Sequence, residues 1–197
     1  MMNHIIRCIL TYSISEDCIN KKDLDIYSFG MECMILKWIH YTSYIVIGIV
    51  LDSLISLFVS ACILVPLRTR AGGYHANTRI GCYFFSCFMV IMLCILNGIF
   101  LPDWIIILCL FFSDIAIFLL APIENENRIL EQDEITQFRR QVIILLMIGN
   151  VAFLILQWNE IAISKYLENG IVMAAILLLL GKGKECLTSI SLKKYST

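Results

Sequence analysis

Residues 68–87 read Arg-Thr-Arg-Ala-Gly-Gly-Tyr-His-Ala-Asn-Thr-Arg-Ile-Gly-Cys-Tyr-Phe-Phe-Ser-Cys. A double glycine, Gly72-Gly73, precedes His75, and Cys82 follows seven residues after the histidine. Cysteine and histidine together make a nucleophile and a base, the pairing that covalent catalysis requires. Asn77 and Thr78 are residue types that cap helix N-termini, so a helix should begin there and carry Cys82 in or near its first turn. The attacking species is the thiolate, and a helix N-terminus with nearby cations lowers a cysteine pKa below its free value of about 8.5. Arg79 and a protonatable His75 would add to that effect. On one continuous helix, seven residues span about 10.5 Å, too far for a hydrogen bond. The chain must therefore fold His75 back over the helix start, and glycines reach the backbone conformations that a sharp reversal needs.

Plainer readings exist for each residue. A cysteine beside an apolar run can serve as a small packing residue, and His75 can be an interfacial or hydrogen-bonded histidine. A metal site built from His75, Cys82 and Cys87 matches no standard zinc spacing and lacks a fourth ligand. Neither a metal nor a cofactor is expected. Cys87 lies five residues beyond Cys82, on another helix face, and is assigned to structure.

The elements that must position these residues follow from composition. Of 197 residues, 59% are hydrophobic and 16% charged, against about 45–50% and about 25% in soluble domains. That excess cannot be covered by a polar surface, which excludes a soluble globular enzyme and a disordered chain. It amounts to five or six membrane spans of about 20 residues each. Nine cysteines could suggest a secreted disulfide framework. Five of them (Cys62, Cys82, Cys87, Cys94 and Cys109) lie in or beside apolar runs, and no CxxC pair occurs. Reduced thiols are expected. The first 25 residues are mixed and polar, unlike a cleavable signal peptide. The net charge of -1 carries no sign of a nucleic-acid partner, and none is expected.

Apolar runs place spans at 26–48, 50–67, 80–100, 104–121, 142–158 and 161–180 in one membrane domain, 1–197. The fold class is thus all-α, a polytopic membrane protein. Residues 26–67 are nearly continuous, with Gly48 to Asp52 the one plausible turn, so five spans compete with six. Charge decides between them, because cytoplasmic loops collect Lys and Arg. Arg7, Lys21 and Lys22 precede the first span, and Arg68, Arg70 and Arg79 follow the second. Arg128, Arg139 and Arg140 follow the fourth, and Lys182, Lys184, Lys193 and Lys194 the sixth. Six spans gather these 13 of the 15 basic residues on one side, with both termini and the His75–Cys82 loop cytoplasmic. Ile5, Ile6, Ile9 and Leu10 fit a short interfacial amphipathic helix or, equally, a solvated tail.

Other charges fall in or at spans, where they are costly and often functional: Asp52, Asp114, Lys165 and Glu168. Asp114 could orient His75 or, as the stronger expectation, pair with Lys165 across the bundle. Residues Glu124–Glu134 form an acidic stretch, read as a solvated loop that could meet a basic segment of a partner.

Arg68, Gly72-Gly73-Tyr74-His75-Ala76 and Cys82 together resemble the signature of the accessory gene regulator protein B (AgrB) family. Ala121-Pro122, followed by the polar loop from Glu124 to Arg128, is similar to the family's next landmark. Val65-Pro66, read as ending the second span, departs from the plain aliphatic residues more common there. The resemblance implies a bacterial cell-membrane cysteine peptidase that processes quorum-sensing propeptides. His75 matches the catalytic histidine and Cys82 the catalytic cysteine. Arg68 and Gly73 match positions needed for activity, with Gly72 beside them in support. The implied substrate is a small amphipathic propeptide cut on its C-terminal side and left acylated on Cys82. An internal Cys or Ser of the peptide then closes a thiolactone or lactone ring. The resemblance also implies a homodimer in the lipid bilayer.

Two other classes compete. A small transporter would use the intramembrane charges to line a pathway, but repeat symmetry is not evident and the best motif lies in a loop. A non-catalytic scaffold that binds the propeptide would have no need of both His75 and Cys82. The six-span arrangement is tested by reporter fusions. A reporter after Arg70 and one at the C-terminus should both read cytoplasmic, and an external reading at Arg70 alone would overturn the two-span division of 26–67.

Overall fold

The computed structural model describes residues 24–76, 78–123 and 131–195, with side chains as far as Thr188. Within them the chain is helical, with no strand among the described residues. The helices are α1 (Leu24–Val50), α2 (Leu54–Ala71), α3 (Arg79–Gly98), α4 (Asp103–Leu120), α5 (Gln132–Trp158) and α6 (Ser164–Tyr195). Each expected span has its helix. The N-terminal amphipathic stretch, Asn77 and residues 124–130 lie outside the described residues.

Five of the helices, α1 to α5, are long and apolar enough to cross a membrane. The sixth, α6, has its apolar run at 170–180, bounded by Lys165, Glu168 and Asn169 before and by Lys182, Lys184 and Glu185 after. Ile171, Met173, Ala174, Ala175, Leu177 and Leu178 are all buried, and α6 packs against α2, α3, α4 and α5. Neighbouring helices cover that part of its apolar surface, while Ile176, Leu179 and Leu180 are exposed. The outer helices likewise present large apolar side chains outward, among them Phe58, Phe84, Phe111, Leu119 and Leu154. That is the surface a helix keeps when acyl chains are its solvent. These features define an all-helical polytopic membrane protein.

Two compact units divide the chain near residue 46. The first is represented by most of α1. There the hydroxyls of Thr42 and Ser43 donate to Trp38 O and Ile39 O, each at 2.9 Å, and His40 Nδ1 pairs with Leu36 O at 2.7 Å. Such bonds to the preceding turn let polar residues sit on an apolar helix without orphaned groups. The second unit opens with a turn at Leu51–Ser53, where Asp52 adopts φ 49° and Ser53 N donates to Gly48 O at 2.8 Å. The expected turn at Gly48 to Asp52 is present, which places Asp52 at a span end.

Inside the second unit a polar ladder joins three helices. Ser60 Oγ of α2 donates to Tyr166 O of α6 at 2.8 Å. Asn97 Nδ2 of α3 donates to Ser60 Oγ at 3.1 Å, and Asn169 Nδ2 of α6 donates to Asn97 Oδ1 at 2.9 Å. Ser60, Asn97 and Asn169 are all buried. With lipid as solvent, polar interhelical bonds add specificity on top of van der Waals packing, at an average of about 0.6 kcal/mol each.

Asn97→Leu removes both side-chain partners and strands the Asn169 amide. The expected loss is about 1–3 kcal/mol, because an unsatisfied buried donor costs more than the bond was worth. Unfolding of the purified protein by detergent titration should show it, whereas an unchanged midpoint would reduce the ladder to a bystander.

Candidate active site

The expected end of the second span at Pro66 is not where the helix stops. α2 continues through Pro66 to Ala71. Proline removes one backbone donor, but the following turn is held by side chains. Thr69 Oγ1 and Arg70 Nη1 both donate to Pro66 O, at 2.9 and 3.2 Å, and Arg70 Nε donates to Gln141 Oε1 of α5 at 2.8 Å. The extra turn carries Arg68 and Arg70 to the helix C-terminus, where cations complement the exposed carbonyls.

Beyond Ala71 the chain turns through Gly72 and Gly73, at φ 80° and 131°. Both conformations belong to the region that side chains disfavour. Space adds a second reason. A Cβ on Gly72 would lie 2.5 Å from Ile123 O, and one on Gly73 would lie 2.8 Å from an Arg68 guanidinium nitrogen and 2.9 Å from Leu177 O. Ile123 N donates to Ala71 O at 2.9 Å. The Ala121-Pro122 segment, whose peptide bond is cis, thus braces the loop from below.

The loop then lies on α6. Tyr74 N donates to Leu177 O at 2.9 Å, Arg68 Nη2 donates to Tyr74 O, and Lys184 Nζ donates to His75 O at 2.9 Å. The Tyr74 ring packs on Phe85 of α3 with centroids 4.6 Å apart, and Lys184 Nζ sits 5.8 Å from the same ring. Phe85 is one turn beyond Cys82, on the same face of α3. The glycine loop is therefore folded back against the start of the cysteine's helix, as the spacing of His75 and Cys82 requires.

Thr78 is the N-cap of α3, its hydroxyl accepting from Gly81 N at 3.0 Å. Cys82 stands at the fourth helical position, its own N–H bonded to Thr78 O at 2.9 Å, and is half-buried. Arg68 is the link between the two candidate residues. Its guanidinium is within Coulombic reach of the Cys82 sulfur and of the His75 imidazole. His75 is at the exposed rim of the loop, yet enough of its ring is covered for desolvation to act. That desolvation, followed by the positive charges of Arg68 and Lys184, holds its pKa below the ordinary imidazole value. The imidazole is thus held toward its neutral, proton-accepting form, and the nearby permanent cation is Arg68. Among the described residues no hydrogen bond joins His75 to Cys82.

Neither partner expected for Asp114 is found. Asp114 Oδ2 accepts from Asn150 Nδ2 of α5 at 2.8 Å, while its Oδ1 is buried without a hydrogen-bond partner. Lys165 Nζ instead lies 4.7 Å from the Phe100 ring centroid and 5.2 Å from that of Tyr166. Helix phase is the reason, since α4 turns Asp114 toward α5. The acidic stretch is in part helical: Glu131 and Glu134 form a capping box that starts α5 ten residues before the expected 142. The seven described cysteines are free thiols. Among the described residues no three His, Cys, Asp or Glu side chains gather in a metal-binding group.

Sequence reasoning missed two residues of the site, Gly181 and Lys184 of α6. The signal was Gly181-Lys182-Gly183-Lys184, which reads as a basic tail because nothing local shows that it meets a loop over 100 residues earlier. Gly181 permits that meeting, since a Cβ there would come 2.6 Å from Gly73 C and 2.7 Å from Tyr74 N.

Compared with known protein families, the sequence matches Accessory gene regulator B over residues 6–190, nearly the whole chain. It matches no curated protein and no solved structure. The chain belongs to the accessory gene regulator B family, and with it to the processing of quorum-sensing propeptides.

Gly181→Ala tests the loop's seat. Alanine is favoured over glycine in a helix by about 0.5–1 kcal/mol, but overpacking costs about 1–3 kcal/mol, here against backbone. The variant should therefore be less stable than the parent and its Cys82 should alkylate at a different rate. A more stable variant with unchanged alkylation would show that the loop is not seated on α6.

Proposed function

We propose that this protein is a membrane cysteine endopeptidase of the cytoplasmic membrane that cleaves a small amphipathic autoinducer propeptide and promotes its cyclisation. The observation that carries this reading is the folded-back glycine loop, which gathers His75 and Cys82 around the Arg68 guanidinium at the start of α3. Family membership supports it independently.

Cys82 is the nucleophile and His75 the base. The neutral imidazole accepts the Cys82 S–H proton as sulfur attacks the scissile carbonyl, and Arg68 offers the new thiolate a positive charge. The imidazolium then gives its proton to the leaving amine, the C–N bond breaks, and the N-terminal part of the peptide remains as a thioester on Cys82. A thiol or hydroxyl within the same peptide attacks that thioester, and Cys82 departs as the ring closes. Transfer from one thiol to another is nearly isoenergetic, so the ring-closing step draws only on the energy already held in the thioester. Water must be kept from the thioester, and a site at the membrane interface meets that need. The substrate's own amphipathic helix would lie in the same interface and raise its local concentration.

In this reading both termini and the loop face the cytoplasm, and the working unit is a homodimer. Gly72 and Gly73 support the site by allowing the turn, and Arg68 by joining loop to nucleophile.

Co-expression with the candidate propeptide, followed by mass spectrometry, tests the proposal. Cyclised peptide and released C-terminal fragment are expected from the parent chain and neither from Cys82→Ala, while the other cysteines should tolerate alanine. His75→Gln should lose at least about 10²-fold in rate, the lower bound for general acid–base help, at unchanged membrane level. Full processing by Cys82→Ala would remove the mechanism, and inactivity of Cys87→Ala would reopen a paired-thiol or metal site.

A further inference from the structure

The strip Leu177, Gly181 and Lys184 follows one face of α6 at helical spacing, and all three of its members touch the glycine loop. Leu177 supplies a carbonyl to Tyr74 N at 2.9 Å. Gly181 supplies space for the Gly73–Tyr74 backbone. Lys184 reaches past both to His75 O at 2.9 Å and lies against the Tyr74 ring. Its neighbour Lys182 is engaged elsewhere, with Glu185 at 2.9 Å.

We propose that Lys184 is a positioning residue for His75, an ammonium clamp that fastens the glycine loop to α6 and so presents the imidazole to the start of α3. The proposal rests on the cysteine-peptidase reading and extends it to a residue from the opposite end of the chain. Lys184 does two things from one place. Its hydrogen bond fixes the backbone of His75 itself, so the ring's only remaining freedom is rotation about its own side-chain bonds. Its charge opposes a second charge on the imidazole, in concert with Arg68 from α2, while Cys82 acts on Arg68 from α3. The consequence is a base that is unprotonated between turnovers and gives up its proton readily once it has taken one. The proton taken from Cys82 therefore moves on to the leaving amine instead of resting on the ring.

The full chain in detergent micelles with 13C-labelled histidine allows His75 to be titrated by NMR without substrate, its signal assigned by comparison with His75→Gln. In the parent, His75 should titrate below its ordinary value of 6.5. In Lys184→Met and Lys184→Gln it should move up by about half a unit, the effect of removing one screened neighbouring charge. Lys184→Arg should keep the parent value, and Lys182→Met should leave it unchanged. Propeptide cleavage should fall about tenfold in the neutral variants, as expected for one lost hydrogen bond to a charged group. Its acid limb should rise in step with the titration, and arginine should restore both. An unmoved His75 titration in both neutral variants would overturn the proposal, as would an equal shift in Lys182→Met. Absence of cleavage in the parent would sink the peptidase reading instead, leaving the titration to judge the clamp.

Discussion

An irregular segment beside membrane helices must find partners for its backbone groups, and here one helix supplies two of them. The five residues from Gly72 to Ala76 cannot bond among themselves as a helix would, and an unpaired peptide group away from water is expensive. The loop settles on α6, where Tyr74 N meets Leu177 O and His75 O meets Lys184 Nζ. Arg68 covers Tyr74 O, and Ile123 N covers Ala71 O just before the turn. Once those groups are satisfied, the side chains of Tyr74 and His75 have little choice of direction. Site geometry is thus a by-product of backbone accounting. The glycines are needed because the bonds require backbone to approach backbone, and any Cβ at Gly73 or Gly181 would hold the two apart.

Charge around the loop is unevenly distributed. Arg68 and Lys184 both act on His75, and each bonds a backbone carbonyl there. Carbonyls satisfy hydrogen-bonding capacity but neutralise no charge, so positive potential persists at the mouth of the site. That potential suits a reaction that passes through a thiolate and an oxyanion. A salt bridge in the same place would have cancelled it.

Most of the helical scaffold was legible in the sequence because long apolar runs have few alternatives in a membrane. The expected spans 80–100 and 104–121 lie within a few residues of α3 and α4. Thr78 was legible as a cap for local reasons: a hydroxyl at that position has one good use. The misreadings share a different origin. Pro66 was taken as a stop because proline lacks a donor, whereas Thr69 and Arg70 support the turn that follows it. Asp114 was given the wrong partners because hydropathy cannot fix helix rotation, and that rotation put Asn150 beside it. Lys184 was hidden by sequence distance. Its partner is a backbone carbonyl, which leaves no compositional trace.

The position of α6 in the chain has a consequence for biosynthesis. The loop and Cys82 emerge from the ribosome well before their backing wall, Leu177 to Lys184, which lies about 100 residues further along the chain. Until α6 enters the bundle, Tyr74 N and His75 O have no α6 partner and the imidazole no seat. The arrangement proposed for the site is therefore complete only once α6 is in place. A chain that lacks α6 already holds the Cys82 thiol and the His75 imidazole, but not the backing that sets the loop against α3.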